Sequence, residues 1–161
     1  MATSFDPRNP RVISHYGVPQ IVHGELEANS QSFKAGELVY FNAGAVTVCT
    51  ASTVIGGVAL ADATNVSASN ATIPVQVIGP EDELILRCAS DASGTLALAT
   101  TFQSGQDYAV DATSNLWYAN SADSSAGNVT FVAPYYDAAG NSTYWGRFRL
   151  AYNKTGMTQA G

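Results

Sequence analysis

Hydrophobic residues occur along this chain in runs of strand length, and turn residues separate the runs. In the stretch from residue 33 to residue 88 these runs are Leu38–Phe41, Val46–Thr50, Val58–Leu60, Pro74–Ile78 and Leu84–Cys88. Each is about as long as an ordinary strand, and glycine, proline or acidic residues bound nearly all of them. No segment has the length and periodicity of an amphipathic helix. The pattern predicts an all-β protein organised around a small, closed or nearly closed antiparallel sheet.

Further runs on both sides of this stretch continue the pattern. Ile21–Glu27 alternates before it, and the later runs are Leu96–Leu98, Tyr108–Val110, Leu116–Tyr118 and Val129–Val132, the last stopped by Pro134. The clearest alternation is in Tyr144–Tyr152. One face of that predicted strand carries Tyr144, Gly146, Phe148, Leu150 and Tyr152, and the other carries Trp145, Arg147 and Arg149.

The apolar positions also predict the centre of the core. We expect it to include Phe33, Leu38, Val39, Val58, Val75, Val77, Leu84 and Leu86. The pair Gly56-Gly57 lies between two apolar runs. Glycine inside a strand pattern indicates a bulge or a close approach of two backbones.

The first twenty residues differ from the rest of the chain. Three prolines among them lack an amide proton, so the segment is unsuited to a central strand. It nevertheless carries apolar and aromatic side chains, which include Phe5, Ile13 and Tyr16. The segment is therefore either a terminus with little order or an extended arm that lies on another subunit. As an arm, it should matter little to the fold itself.

Length and composition bound the rest. A chain of 161 residues is most simply one domain. We expect residues 1–20 to form the arm and residues 21–161 the β-domain, with 116–161 either completing that domain or forming a small lobe. Only 12 % of the residues are charged, the net charge is -6, and the seven basic residues are scattered along the sequence. This balance argues against a nucleic-acid partner, and no run approaches the length of a membrane span.

The sequence offers little to an enzyme. His15 and His23 are the only histidines, and the chain lacks a Gly-x-Ser-x-Gly elbow, a phosphate-binding glycine loop and metal-ligand spacing. The acidic turn Gly79–Glu83 is interpreted as solvated, because adjacent carboxylates repel and point apart. Cys49 and Cys88 are expected to be buried free thiols, with a bridge as the alternative if their strands are neighbours. We therefore predict no catalytic activity, no metal and no cofactor.

Three segments, in this order, resemble the decoration or cement proteins of tailed-bacteriophage capsids. They are Phe33-x-x-Gly36-Glu37-Leu38-Val39-Tyr40, Ile55-Gly56-Gly57-Val58-Ala59-Leu60-Ala61-Asp62-Ala63 and Pro74-Val75-Gln76-Val77-Ile78-x-Pro80-Glu81-Asp82. The resemblance covers about the middle half of the chain. It implies a small antiparallel β-barrel or sandwich, β-tulip-like, with an extended N-terminal arm. It also implies a homotrimer on the outer surface of an icosahedral head, bound to the major capsid protein.

On this view the arm supplies the capsid-binding residues. Phe5 and Ile13 would be apolar anchors, and Arg8 and Arg11 would donate hydrogen bonds to an acidic or carbonyl-rich surface. Tyr16 is the fifth predicted contact residue. The alternative function is a carbohydrate-binding or adhesin module of a phage fibre. In that case an exposed Trp117 or Trp145 would stack on sugar rings.

Overall fold

The computed structural model describes residues 10–13, 18–50, 53–64, 71–114, 116–124, 127–136, 139–140 and 142–151. Within these ranges the protein is all-β, as predicted, and its helical content is one 3-10 turn at Ala99–Thr101. The strands are β1 (Arg11–Ile13), β2 (Gln20–Glu27), β3 (Leu38–Asn42), β4 (Ala45–Val48), β5 (Gly57–Ala59), β6 (Thr72–Val77), β7 (Glu83–Ala89), β8 (Asp107–Thr113), β9 (Leu116–Asn120), β10 (Val129–Tyr136) and β11 (Ser142–Leu150).

The strands form two rings that follow one another along the chain. The first ring is a closed barrel in the order β2-β4-β3-β5-β6. The second sheet has the order β1-β7-β11-β10-β8-β9, and an additional pairing of β7 with β9 joins its ends into a second ring of five strands. A tight turn links the two rings, in which the Gly79 N–H donates to Asp82 Oδ2 at 2.7 Å.

Each ring contains one parallel pair, which corrects the expectation of a purely antiparallel sheet. β2 runs parallel to β4, and β7 runs parallel to β9. The reason is geometric. Strand directions cannot alternate all the way around a ring with an odd number of members, so at least one neighbouring pair must be parallel.

One large apolar cluster joins the two rings, and a smaller one fills the first. The large cluster combines Leu38, Ile55 and Val58 of the first ring with residues of the second, among them Leu86 and Phe148. The aromatic side chains of Phe102, Phe131 and Phe148 pack against one another at its centre, and the centroids of their phenyl groups are 5.2 to 5.8 Å apart. The smaller cluster consists of Phe33, Val39, Val46, Ala59, Ile73 and Val75. Because they share a core, the rings fold as one unit.

The core prediction is correct at seven of its eight positions. Phe33, Leu38, Val39, Val58, Val75, Leu84 and Leu86 are all buried. Val77 is only half-buried and belongs to neither cluster. It is the last residue of β6, and the neighbouring Ile78 enters the large cluster in its place. The strand register is unaffected, since Ile73 and Val75 on the same face are buried.

The prediction of a close approach at Gly56-Gly57 is confirmed. A Cβ atom placed on Gly57 would lie 2.4 Å from the Gln76 carbonyl oxygen and 2.6 Å from Val75 Cγ1. Real Cβ atoms do not come so near, so β5 can pair with β6 at this point only through glycine.

Two other strand predictions are wrong. The run Leu96–Leu98, predicted to continue the strand pattern, is not a strand. Leu96 makes an isolated bridge to Ala89, both leucines are exposed, and the small Ala97 packs on the core instead. Nor does Pro134 stop β10, which continues to Tyr136 with shifts of register on both sides of the proline. β8 pairs with β10 only at Val129 and Thr130, so no β8 partner needs the missing amide proton.

The alternation in the last strand holds over most of β11. Gly146, Phe148 and Leu150 are buried, as predicted, but Tyr144 is exposed; Tyr152 lies outside the described residues. The strands after residue 116 pair with β7 and β8, so this segment completes the second ring.

Candidate functional site

The candidate site begins at the N-terminal strand. β1 pairs antiparallel with the first half of β7, with Arg11 opposite Ile85 and Ile13 opposite Glu83. From Arg87 onward, β9 pairs with the same edge of β7. Pro10 precedes β1 where that change of partner occurs, and proline has no N–H with which to continue the ladder. β1 is therefore short because another strand occupies the rest of the edge.

This strand corrects one expectation about the arm. The prolines do keep it out of the central strands, since β1 lies at the edge of its sheet. The segment is nevertheless part of the fold, because Val12 is half-buried against the large apolar cluster. Pro10 and Val12 also line a cavity of about 370 Å³ together with Val58 and Leu60 of the first ring. Removing β1 would therefore expose core surface.

The structure describes only some of the predicted capsid-binding residues. Arg11 and Ile13 lie in β1, and the structure describes their backbone only. Phe5, Arg8 and Tyr16 lie outside the described residues. The structure thus places two of the five positions on the edge of the second ring and does not test the rest.

Beside β1 lies a group of charged side chains that the sequence reasoning did not assemble. Arg147 Nε donates to Glu83 Oε2 at 2.7 Å, and Arg149 Nη2 lies 3.6 Å from Glu83 Oε1. The hydrogen bond to Glu83 raises the pKa of Arg147. Glu83 is 7 % exposed, so the solvated-turn interpretation is wrong for this residue. It is the first residue of β7, and its two arginine partners offset the cost of its burial.

These residues share one surface. In β7, Glu83, Ile85 and Arg87 alternate with residues of the large apolar cluster, and in β11 Trp145, Arg147 and Arg149 do the same. Ile85 is only 2 % exposed, so this part of the face is covered. Trp145 is directly opposite Arg87, and Arg147 is opposite Ile85, so the two sets face the same way. We call this outer surface, with Arg87, Trp145, Arg147 and Arg149, the arginine face. β1 pairs with β7 beside this face, with Arg11 opposite Ile85.

A buried carboxyl connects the two rings. Glu37, only 3 % exposed, accepts the Lys34 backbone N–H at 2.6 Å and the Trp117 indole N–H at 3.0 Å. Trp117 is itself 2 % exposed, so it cannot stack on a sugar. Glu37 and Trp117 act together as a structural link, which sequence reasoning missed because they are 80 positions apart.

The remaining candidates for chemistry are unremarkable. Cys49 and Cys88 are free and buried, and burial raises the pKa of each thiol to about 12. His23 is exposed on β2, and His15 is outside the described ranges. Across the part of the chain that the structure describes, no group of three or more His, Cys, Asp or Glu could hold a metal ion. Among the same residues no helix is long and apolar enough to cross a membrane.

Comparisons with known proteins add no relative. No family model matches this chain, and no curated protein or solved structure matches it. The function is therefore inferred from the residues and their arrangement.

Proposed function

We propose that this protein is a structural component of a virion. It binds the outer surface of an icosahedral phage head and stabilises contacts between neighbouring major capsid proteins. It acts as a homotrimer, without catalysis, cofactor, nucleic acid or membrane. The sequence resemblance described above is the origin of this proposal.

The observation that carries it furthest is the construction of the body. Two rings share one core. Within the described residues every strand of each ring pairs with a neighbour on both sides, whereas β1 pairs on one side only. Closed sheets have no unpaired edges that would deform or aggregate. A rigid body with a single adhesive side suits a protein that braces a shell, and several such contacts in a trimer would add to firm attachment.

The N-terminal segment supplies the adhesive side. β1 holds the chain against the body at residues 11–13, so the nine residues before Pro10 begin from a fixed point. A segment that is held at one end loses less conformational entropy when it binds a partner. Phe5 and Arg8 of this segment, with Arg11 and Ile13 in β1 and Tyr16 beyond it, remain the proposed contacts.

The experiment is binding to undecorated heads of the phage, with two truncations. Deleting residues 2–9 leaves β1 in place, so the melting temperature should hardly change while occupancy on the heads falls. Deleting residues 2–16 also removes β1 and Val12, so both occupancy and melting temperature should fall. If the wild-type protein does not bind the heads, the proposed function is wrong. If the 2–9 deletion binds as wild type, the anchors lie elsewhere.

A carbohydrate-binding module is the second candidate. The observation in its favour is that Tyr136 and Tyr144 on β10 and β11 are 52 % and 46 % exposed, and exposed aromatic rings can stack on sugars. Trp145 beside them is half-buried. Binding on a glycan array that is lost in Tyr136→Ala and Tyr144→Ala, without binding to heads, would favour this function over the first.

A further inference from the structure

The charges of the second ring are divided between two sides. Its three basic residues, Arg87, Arg147 and Arg149, all lie on β7 and β11. Its β8 side carries Asp107 and Asp111. The only other described basic residue beyond β1 is Lys34 in the first ring, which forms an exposed ion pair with Asp62 at 3.1 Å. In a chain with a net charge of -6, the arginine face is thus a local positive surface.

Glu83 organises this surface without neutralising it. Glu83 lies between two guanidinium groups, and Glu81 lines a pocket with Arg149. Three arginines therefore face two carboxylates, and one positive charge is left over. The Arg147 and Arg149 side chains remain 42 % and 44 % exposed. The hydrogen bond to Glu83 uses Nε and orients Arg147, so within the part of the chain that the structure describes its terminal nitrogens can donate to another acceptor. A guanidinium that is already oriented loses less freedom when it binds.

The composition of the face is that of a protein-binding surface. Trp145 lies opposite Arg87 across the β7–β11 pair, and the two other arginines follow along β11 at alternate positions. Tryptophan and arginine are the residues most enriched where protein interfaces concentrate their binding energy. The face is also continuous with β1, because Arg11 is opposite Ile85 in the same sheet.

Carboxylates fit this face better than a phosphate backbone does. Arginine can bind a carboxylate through two parallel hydrogen bonds, and the carboxylate of Glu83 already accepts one from Arg147. A nucleic acid would bring many charges at once to a molecule whose net charge repels them. A protein surface with a few carboxylates matches the small positive excess.

We propose that the arginine face is a docking surface for a carboxylate-bearing protein surface of the shell, next to the contacts made by the N-terminal segment. This inference rests on the proposed function and names the chemistry of the partner. The side chains that contact the partner are Arg87, Arg149 and the outer nitrogens of Arg147. Glu83 is a positioning residue.

The test variant is Arg87→Gln with Arg149→Gln, which removes the longer contact of Glu83, at 3.6 Å, and keeps its hydrogen bond with Arg147 at 2.7 Å. Its melting temperature should stay close to that of the wild type. Its affinity for undecorated heads should fall at least about tenfold at physiological salt, as expected for charged pairs inside an interface. Lys34→Gln removes an exposed cation from the other ring and should bind as wild type. The double variant Arg87→Lys with Arg149→Lys, which keeps the charge, should recover part of the affinity.

The outcomes separate the two proposals. If wild-type protein binds heads and the Gln double variant binds equally well, the arginine face is not the docking surface, although the proposed function stands. If wild-type protein does not bind heads, both proposals fall. Poly-L-glutamate and a single-stranded oligonucleotide, each immobilised, then test the ligand chemistry. Retention on poly-L-glutamate that the double variant loses supports carboxylates. Stronger retention on the oligonucleotide, or salt-dependent self-association that the double variant loses, would overturn the assignment.

Discussion

Glu37 offers the sharpest test of how the two rings are held together. Its carboxyl accepts the Lys34 N–H within the first ring and the Trp117 indole N–H from the second, at 2.6 and 3.0 Å. Glu37→Gln keeps the volume of the side chain but replaces one acceptor oxygen with an NH2 group. One of the two donors then faces another donor in a buried place.

The expected cost follows from these contacts. A hydrogen bond to a charged group contributes about 1.5–3 kcal/mol, and a buried donor without an acceptor costs a similar amount. We expect Glu37→Gln to lower the free energy of unfolding by about 2 kcal/mol. For a domain of this size that corresponds to a melting temperature lower by about 4–8 °C. Urea unfolding followed by tryptophan fluorescence measures the first quantity, and a thermal melt measures the second.

Two further variants complete this test. Glu81→Gln changes an exposed carboxyl on the turn between the rings and should leave stability within about 0.5 kcal/mol of the wild type. Trp117→Phe should cost less in the Glu37→Gln background than in the wild type, since the indole donor has then already lost its acceptor. A Glu37→Gln protein that melts within about 1 °C of the wild type would refute the reasoning. So would strictly additive effects of the two substitutions.

Three other perturbations follow from the structure. Gly57→Ala would force a Cβ to within 2.4 Å of the Gln76 carbonyl and should cost about 3 kcal/mol or more in urea unfolding; an unchanged midpoint would contradict the close approach. Ala43 has φ 50° in the turn between β3 and β4, so Ala43→Asn should raise stability by about 0.5–1 kcal/mol, and a loss of stability would count against this turn geometry. Cys49 and Cys88, with pKa values raised from 9.0 to about 12, should resist a thiol reagent at pH 8 until urea is added. The raised pKa values stabilise the folded protein fully below pH 9.0. This contribution to the free energy of unfolding should be lost as the pH rises from 9.0 towards 12, and the loss should be smaller in Cys49→Ala. Rapid labelling of the native protein by the thiol reagent would disprove the burial of the two cysteines.

Much of the fold was accessible from the sequence, for a local reason. Strand-length runs bounded by turn residues indicate which segments form strands, and alternation indicates which face of a strand is buried. Gly146, Phe148 and Leu150 in β11 show how well this works where a strand has one apolar face. Leu96 and Leu98 show where it fails. Leucine and alanine do alternate there, but Ala97 packs against the core and both leucines are exposed to solvent.

The candidate site was less accessible, because its contacts join distant parts of the chain. The arginines of β11 were recognised as one face, yet their partner Glu83 is 64 positions from Arg147. Local sequence placed Glu83 in a turn, and only the pairing of β7 with β11 brings it under the arginines. The closure of each ring by a parallel pair is a similar case, since no local pattern shows which strands meet.

The position of β1 has a mechanical consequence. A pull on the residues before Pro10 would load only the three paired positions between β1 and β7. β1 pairs on one side only, whereas each strand of the two rings pairs on both sides. β1 would therefore detach first, while both rings stay folded. Fully extended, the chain from residue 10 to residue 19 spans about 30 Å. If the segment before it is anchored, movement of a swelling or vibrating support would first extend this stretch, before the force reached either core.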